Sequence, residues 1–82
     1  MTQDSQDLLT ELRSRRNGGI ARRLAESLDW SHDREGGVLG TKRPARGYWD
    51  AYRVDRAAAP LVSDGLVDEI PGKAGLRYRC AA

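Results

Sequence analysis

Apolar residues at helical spacing predict a first helix near the start of the chain. In the stretch "DSQDLLTELRSRR", Leu8 and Leu12 recur on one side of such a helix. Asp4 or Ser5 can cap its first turn, because their side-chain oxygens accept hydrogen bonds from free backbone amides. The following "NG" predicts the helix end, since Gly18 readily adopts the left-handed conformation that closes helices.

The next apolar pattern predicts a second helix over "GIARRLAESLDW". Ile20, Leu24 and Leu28 recur every four residues, which places them on one face. Ile20 is also compatible with a very short extended piece immediately before this helix. Arg22 and Arg23 fall on the outer side, so both are expected to face solvent or a partner.

A third helix is predicted over "YWDAYRVDRAAAPLVSDG" and ends at Gly65. One face that can be buried consists of apolar side chains, namely Ala51, Val54, Ala58, Leu61 and Val62. Trp49, Arg53 and Arg56 lie on a different face. Pro60 cannot donate a backbone hydrogen bond, so the helix is expected to bend or restart there.

Two aromatic residues at the start of this helix leave two interpretations open. The chain has no phenylalanine, so Tyr52 and Trp49 can supply bulk to the core. A tryptophan that is exposed beside arginines would be equally typical of an interface.

The last apolar pattern has a period of two and predicts a β-hairpin. It consists of the strand "LVDEI", the loop "PGKAG" and the strand "LRYRC". In the second strand Tyr78 alternates with Arg77 and Arg79, which directs the apolar side chains to the body and both arginines to the open face. Lys73 lies at the tip.

The second and third helices are joined by a predicted loop over residues 31–47. It contains four glycines, a proline and mixed charge, without apolar periodicity. Either the third helix starts early, near Pro44, which suits the first helical position, or the loop runs on to Tyr48. Loops of this length in small domains are often functional. We expect this loop to be mobile, or to be ordered only on a partner.

Together these patterns predict a single domain over residues 1–82, mainly α with a small β-hairpin, and therefore of the α+β class. A chain of this size buries roughly 60% of its surface on folding, so its core is small. The expected core residues are Leu8, Leu12, Ile20, Leu24, Leu28, Val54, Leu61, Leu66, Ile70 and Tyr78.

The charge is distributed unevenly. Fourteen Lys and Arg against twelve Asp and Glu give a net charge of +2. The basic residues cluster in "RSRRNGGIARR", in "TKRPAR" and in the last ten residues, and none of these stretches contains an acid. Clustered basic charge is typical of proteins that bind a polyanion, although "RSRR" and "ARR" are equally compatible with solvated helix faces.

Groups that could carry catalysis are few. His32, Asp33 and Glu35 lie together in the predicted loop, but sequence neighbours without distant partners rarely hold a metal. Cys80 is the one cysteine, so it forms no internal disulfide and is expected to be a small core residue. Neither "DREGG" nor "PGKAG" matches a phosphate-cradling loop. We therefore expect no enzymatic activity, no metal and no cofactor.

Features of a secreted or membrane protein are also missing from the sequence. No stretch is apolar and long enough for a signal peptide or a membrane span. A single cysteine is consistent with a reducing compartment. The sequence therefore predicts a cytoplasmic protein without a membrane partner.

The stretches "GGIARRLAESLDW" and "LVSDGLVDEI…G…LRYRC" resemble winged helix-turn-helix transcriptional regulators of bacteria and phages. The resemblance covers residues 8–30 and 48–80. It implies three helices followed by a C-terminal wing, and double-stranded DNA as the partner. The chain departs from the family between Trp30 and Tyr48, where a turn of three or four residues is usual.

The resemblance also implies which residues contact DNA. The third helix would enter the major groove, where Arg53 would read a base, and the wing arginines would hold phosphates. The implied DNA-binding residues are Arg22, Arg23, Lys42, Arg43, Arg46, Trp49, Arg53, Arg56, Lys73, Arg77 and Arg79. The function this implies is sequence-specific DNA binding by a small transcriptional regulator.

A second hypothesis comes from the acids near the same elements. Asp50, Asp55 and Asp68 would repel phosphate, and a net charge of +2 is low for a dedicated DNA-binding protein. Winged helices also bind proteins, and a fold does not fix a function. The alternative is a small phage or mobile-element protein-interaction module that inhibits a host complex, for example a CRISPR-type, nucleic-acid-guided one. A homodimer through the first helix, the loop or the wing also remains open.

Overall fold

The computed structural model describes residues 1–31 and 49–81, which form three helices and a three-stranded antiparallel sheet with strand order β1-β3-β2. In chain order the elements are α1 (Gln3–Arg13), β1 (Gly19–Ile20), α2 (Ala21–Leu28), α3 (Ala51–Ser63), β2 (Val67–Gly72) and β3 (Gly75–Cys80). The expected α+β class is confirmed. The short extended piece at Ile20 is a strand, and it extends the hairpin to three strands. Within the described residues, no helix combines the length and the apolarity needed to cross a lipid bilayer.

Helix α1 begins one turn earlier than a cap at Ser5 would allow. Thr2 is the cap, and its hydroxyl accepts a hydrogen bond from the Ser5 amide at 3.2 Å. The predicted caps Asp4 and Ser5 are therefore wrong. Ser5 is fully buried, and its hydroxyl donates to the Ala57 carbonyl at 2.8 Å. This bond ties the first turn of α1 to the middle of α3.

The end of α1 also differs from the prediction. The helix stops at Arg13, with Ser14 as its C-terminal cap, so Gly18 does not end it. Gly18 does adopt a positive φ of 65°. It is needed there because the turn between α1 and β1 passes directly over strand β3. A Cβ atom at this position would lie 1.8 Å from the carbonyl oxygen of Tyr78.

Helix α2 matches its apolar pattern and ends two residues before the predicted limit at Trp30. Leu24 is fully buried and Leu28 is half-buried against the core. Asp29 caps the helix in the left-handed conformation, with a φ of 58°. Trp30 therefore leaves the helix, and its side chain enters the core, where it is 5% exposed.

Helix α3 begins after the predicted loop, and a start near Pro44 is wrong. Asp50 is its cap and accepts a hydrogen bond from the Arg53 amide at 3.0 Å. Just before this cap, Trp49 pairs with Ser31 in an antiparallel bridge, which requires extended backbone. The helix runs unbroken through Pro60, which lies in its last turns. The expected mobility of residues 31–47 lies, apart from Ser31, outside the described residues.

The hairpin is tighter than predicted. Strands β2 and β3 pair in register from Val67 opposite Cys80 to Gly72 opposite Gly75, so Lys73 and the residue after it form a two-residue turn. The predicted five-residue loop is therefore wrong. The alternation in β3 is confirmed from Arg77 to Cys80, because Tyr78 is buried and Cys80 half-buried while Arg77 and Arg79 are exposed. It is wrong for Leu76 at the start of the strand, which is 37% exposed.

The core lies between the three helices and the inner face of the sheet. Six of the predicted core residues are buried, namely Leu8, Leu12, Leu24, Val54, Leu61 and Tyr78. Ile20, Leu28 and Ile70 are half-buried. Leu66 is 38% exposed, so its assignment to the core is wrong, and Val67 is buried instead. The strand begins at Val67, and a shift of one residue exchanges the two faces of a strand.

Candidate nucleic-acid interface

Of the eleven residues predicted to bind DNA, the eight that the structure describes lie in three separate regions. Lys42, Arg43 and Arg46 lie outside the described residues. Four of the others lie at one end of the sheet, which we call the basic end, namely Arg22, Arg23, Lys73 and Arg77. Trp49, Arg53 and Arg56 belong to α3 and the residue before its cap. Arg79 lies on the open face of the sheet, towards the end of strand β3.

The basic end forms because the start of α2 lies beside the hairpin tip. Arg23 and Arg77 line one cleft of about 660 Å³, and Ala74 at the tip lines it too. Arg22 shares a second cleft with the same tip residue. Lys73 and Arg77 line a third, next to Ile20. The positively charged side chains of α2 and of the hairpin, which are about fifty positions apart in sequence, therefore lie in one region of the surface.

Three of these four side chains are unengaged. Arg22, Arg23 and Lys73 are exposed, and none of them makes a hydrogen bond or salt bridge with another described residue. Their side chains are accessible to solvent. An incoming anion can therefore replace water at these groups without first breaking an internal ion pair.

Arg77 is held in place across the sheet. Its Nη1 donates to the backbone carbonyl of Asn17 at 3.0 Å. In the sheet register it lies between Ile20 on β1 and Ile70 on β2. A guanidinium has five N–H donors, so Nε and Nη2 of Arg77 remain available on the open face.

Arg79 has an acidic neighbour on the same face. Its Nη2 lies 3.8 Å from Oδ2 of Asp68, the residue opposite it on strand β2. Both side chains are about half exposed, and exposed ion pairs contribute little stability. Asp68 nevertheless lowers the local positive charge, so Arg79 is a weaker candidate for phosphate than Arg77.

Arg53, the expected base-reading residue, forms hydrogen bonds with another side chain of the protein. Its Nε and Nη2 donate to the two carboxylate oxygens of Asp4 at 2.8 and 2.9 Å. The guanidinium also lies 4.4 Å from the ring centroid of Trp30, a cation–π arrangement. The hydrogen bond from Arg53 lowers the pKa of Asp4, and the same bond raises the pKa of Arg53. Arg53 thus links α3 to α1, and this geometry favours a structural role over base reading.

The Asp4–Arg53 pair is expected to contribute about 0.5–1 kcal/mol of coupling energy to folding. Its two parallel hydrogen bonds make it stronger than an ordinary surface ion pair, but solvent still screens the charges. Both side chains are more than a third exposed. Urea unfolding of wild type, Asp4→Asn, Arg53→Gln and the double variant at pH 7 measures this term. Purely additive effects of the two substitutions would contradict the pairing.

The same pair predicts a loss of stability in acid. The folded-state pKa of Asp4 lies below its ordinary value of 3.8. A group with a depressed folded pKa contributes stability above its unfolded pKa, and the contribution is lost as the pH falls through the folded pKa. The stability difference between wild type and Asp4→Asn should therefore shrink as the pH falls below 3.8, and a difference that stays constant down to the acid-unfolding limit would contradict this account.

The outer face of α3 carries mixed charge and one large aromatic ring. Of the two interpretations left open for the aromatic residues, the core one is wrong for Tyr52, which is 72% exposed, whereas Trp49 is half-buried against the core. Arg56 is exposed one turn after Tyr52, and its charge also lowers the pKa of Asp4. From position 50 to position 64, three aspartates outnumber two arginines. This helix therefore lacks the excess of positive charge that the basic end has.

One of these aspartates connects α3 to the hairpin. Asp55 accepts a hydrogen bond from the hydroxyl of Tyr78 at 2.6 Å. Burial raises the pKa of Tyr78, and the bond to Asp55 raises it further. The hydroxyl therefore stays protonated and remains a donor, which fixes strand β3 against α3 and positions the arginines on the opposite face of the strand.

Sequence reasoning missed Arg15, which lines the 660 Å³ cleft together with Arg23 and Arg77. Its Nε donates to Oε2 of Glu11 at 2.7 Å, and its Nη2 hydrogen bonds to Ser27. The signal for the first contact was present, because acid and base four positions apart share a helix face. The contact with α2 required the tertiary structure.

Comparison with protein-family models, with curated proteins and with solved structures finds no match for this chain. Among residues 1–31 and 49–81, no group of three or more His, Cys, Asp or Glu side chains is arranged to hold a metal ion. His32, Asp33 and Glu35 lie outside these ranges. The basic end is therefore the strongest candidate site in the part of the chain that the structure describes.

Proposed function

We propose that this protein is a winged-helix module that binds double-stranded DNA through its basic end. The observation that carries the proposal is the convergence of the exposed Arg22, Arg23, Lys73 and Arg77 from two distant segments. The element order α1-β1-α2-α3-β2-β3 and the strand order β1-β3-β2 are compatible with a winged helix, with the hairpin as the wing.

The chemistry of these four side chains suits the DNA backbone. Arginine forms forked hydrogen bonds with phosphate, and each neutralised phosphate releases counterions from the duplex. Such contacts position a protein on DNA without reading its sequence. A role as a transcriptional regulator requires base contacts in addition, and Tyr52 and Arg56 on the outer face of α3 are the side chains available for them.

Fluorescence anisotropy with a labelled duplex tests the proposal. Four phosphate contacts predict a logarithmic salt slope near −3.6, so raising salt from about 50 to about 200 mM should weaken binding about a hundredfold. Arg23→Gln and Arg77→Gln should each weaken binding at low salt and flatten the slope by about one unit. Arg13→Gln, which removes the same charge from an exposed position on α1, is the matched control and should change little.

The proposal fails if the folded protein does not bind duplex DNA at low salt. It also fails if Arg13→Gln weakens binding as much as the two basic-end variants do, because binding would then follow net charge alone. Circular dichroism of each variant confirms that the comparison is made between folded proteins.

A specific observation favours a second candidate function, that of a protein-interaction module. Tyr52 is 72% exposed beside Arg56, on a helix that contains Asp55 and is capped at both ends by aspartates. Tyrosine and arginine are enriched among the residues that dominate protein interfaces, and the aspartates disfavour phosphate. The partner would be a protein of a host complex, for example a nucleic-acid-guided one, which the small protein would inhibit. In that case Tyr52→Ala abolishes capture of the partner, while duplex DNA is not bound even at low salt.

A further inference from the structure

A cleft lies between α2, the turn that leads into β1 and the hairpin. One wall is the outer face of α2, with Arg23, Glu26 and Ser27. The turn that leads into β1 and the hairpin complete the lining with Arg15 and Arg77, and Arg15 contacts Ser27 on α2. Three arginines and one glutamate give the lining a formal charge of +2. The cleft of about 660 Å³ is within the usual range for small-ligand sites.

Two of the three guanidinium groups are fixed before any ligand arrives. Arg15 is held by Glu11 and Ser27, and its Nη1 lies 3.5 Å from the position that a Cβ on Gly19 would occupy. Arg77 is held by the carbonyl of Asn17 at 3.0 Å. Donors that are already oriented lose little conformational freedom on binding, which increases affinity.

The third guanidinium is free to close on a ligand. Arg23 is exposed and has no hydrogen bond or salt bridge to any other described residue. Each of the three groups also keeps donors that these internal contacts do not use, since a guanidinium carries five N–H groups. Several guanidinium groups around one concave space can each form two hydrogen bonds with anionic oxygens. A ligand with several phosphate oxygens can satisfy all of them, whereas a single carboxylate has too few oxygens to do so.

We propose that this cleft binds the phosphate groups of its ligand, with Arg15 and Arg77 as fixed donors and Arg23 as the closing one. The inference rests on the proposed function, because the cleft is part of the basic end, and it names the group that is bound there. The space exceeds what one phosphate needs, so two or three linked phosphates fit. The ligand is either a stretch of nucleic-acid backbone or a free phosphate ester.

Tripolyphosphate is the probe, and ¹H–¹⁵N NMR of the full chain is the measurement. We expect saturable shifts of the amides of Gly19, Ile20 and Arg23. Arg23→Gln and Arg77→Gln should each weaken tripolyphosphate binding about tenfold, because each removes charge-assisted hydrogen bonds. Arg16→Gln is the matched control, since this arginine is exposed but does not line the cleft. It should change the affinity less than twofold.

Glu26→Gln provides a test in the opposite direction. Glu26 is the acid in the lining, and its removal should tighten tripolyphosphate binding a few fold, because a like charge no longer faces the phosphates. A merely nonspecific attraction to the +2 chain would respond equally to Glu26→Gln and to Asp64→Asn, which removes an exposed acid outside the cleft. Equal responses of these two variants would overturn the inference.

The same variants, tested with a labelled duplex, separate the two sources of phosphate. If Arg23→Gln and Arg77→Gln weaken binding of both the duplex and tripolyphosphate, the cleft holds DNA backbone. If tripolyphosphate binds in the cleft but the duplex does not bind, the proposed function fails and the cleft is a site for a free phosphate ester. If the duplex binds without shifting Gly19 and Ile20, and tripolyphosphate does not saturate, the inference fails while the proposed function stands.

Discussion

Replacement of Gly18 by alanine is expected to lower the free energy of unfolding by about 3 kcal/mol or more, through a positive φ and a backbone clash together. The new Cβ would lie 1.8 Å from the Tyr78 carbonyl oxygen and 2.8 Å from the Arg79 Cα. Both are backbone atoms of β3, so no side-chain rotation relieves the overlap. The turn or the strand has to move, and β1 then loses its pairing with β3. Urea unfolding followed by circular dichroism measures the effect.

Gly65→Ala is the matched control for this substitution. Gly65 also has a positive φ, of 75°, but a Cβ there meets nothing within 4 Å. The control therefore carries only the conformational cost of the left-handed region, about 1–2 kcal/mol for a residue other than glycine. Equal destabilisation by the two substitutions would show that the turn does not approach β3 as closely as the structure has it.

Leu24→Ala is expected to cost about 2–5 kcal/mol, the usual range for a leucine truncated inside a packed core. Leu24 is 0% exposed on α2 and belongs to the cluster that joins all three helices to the sheet. Its terminal methyl also approaches Gly19 on β1. The cavity would therefore lie where the helices and the sheet meet, and urea unfolding measures the loss.

Leu76→Ala removes the same atoms from a half-exposed position on β3. Leu76 is 37% exposed, so less apolar area returns to water and no enclosed cavity forms. Its cost should be about 1 kcal/mol or less. Similar losses for Leu24→Ala and Leu76→Ala would contradict the position of the core.

Periodicity in the sequence predicted the element order because the apolar stripes are short and regular. Leu8 and Leu12 on α1, Leu24 on α2 and Leu61 on α3 all face the core as their spacing indicates. Each of these residues lies on the one apolar face of its helix, so the spacing of apolar residues alone identifies it as a core residue. The same logic identified Tyr78 on β3, where the period is two.

The errors concern side chains whose partners lie far away in sequence. Arg53 meets Asp4, which is 49 positions away, and nothing in either local pattern indicates that contact. Ser5 was one of two expected helix caps, but its hydroxyl instead donates a hydrogen bond to the carbonyl of Ala57, 52 positions away. A local pattern specifies which face of an element is polar. It does not specify whether a polar side chain meets solvent or another helix.

The candidate site was predictable only in part for the same reason. Arg22, Arg23, Lys73 and Arg77 were identified by clustered charge and by the resemblance to winged helices, yet their proximity depends on the hairpin tip lying beside α2. Arg15 lines the cleft and contacts Ser27 on another helix, a contact that no local pattern indicates. The core interpretation of Tyr52 relied on the shortage of bulky residues, but Trp30 and Tyr78 are the aromatic residues that are buried.

The bridge between Ser31 and Trp49 has a consequence for how the chain tolerates changes in length. Ser31 and Trp49, which flank the 17 residues at positions 32–48, are paired with each other. The entropic cost of closing a loop grows slowly with its length, and the bridge between Ser31 and Trp49 holds the two ends of the segment together. We therefore expect insertions, deletions or grafted peptides between Ser31 and Trp49 to leave α2 and α3 in place. The bridge thus marks a position at which new sequence can be added to the fold.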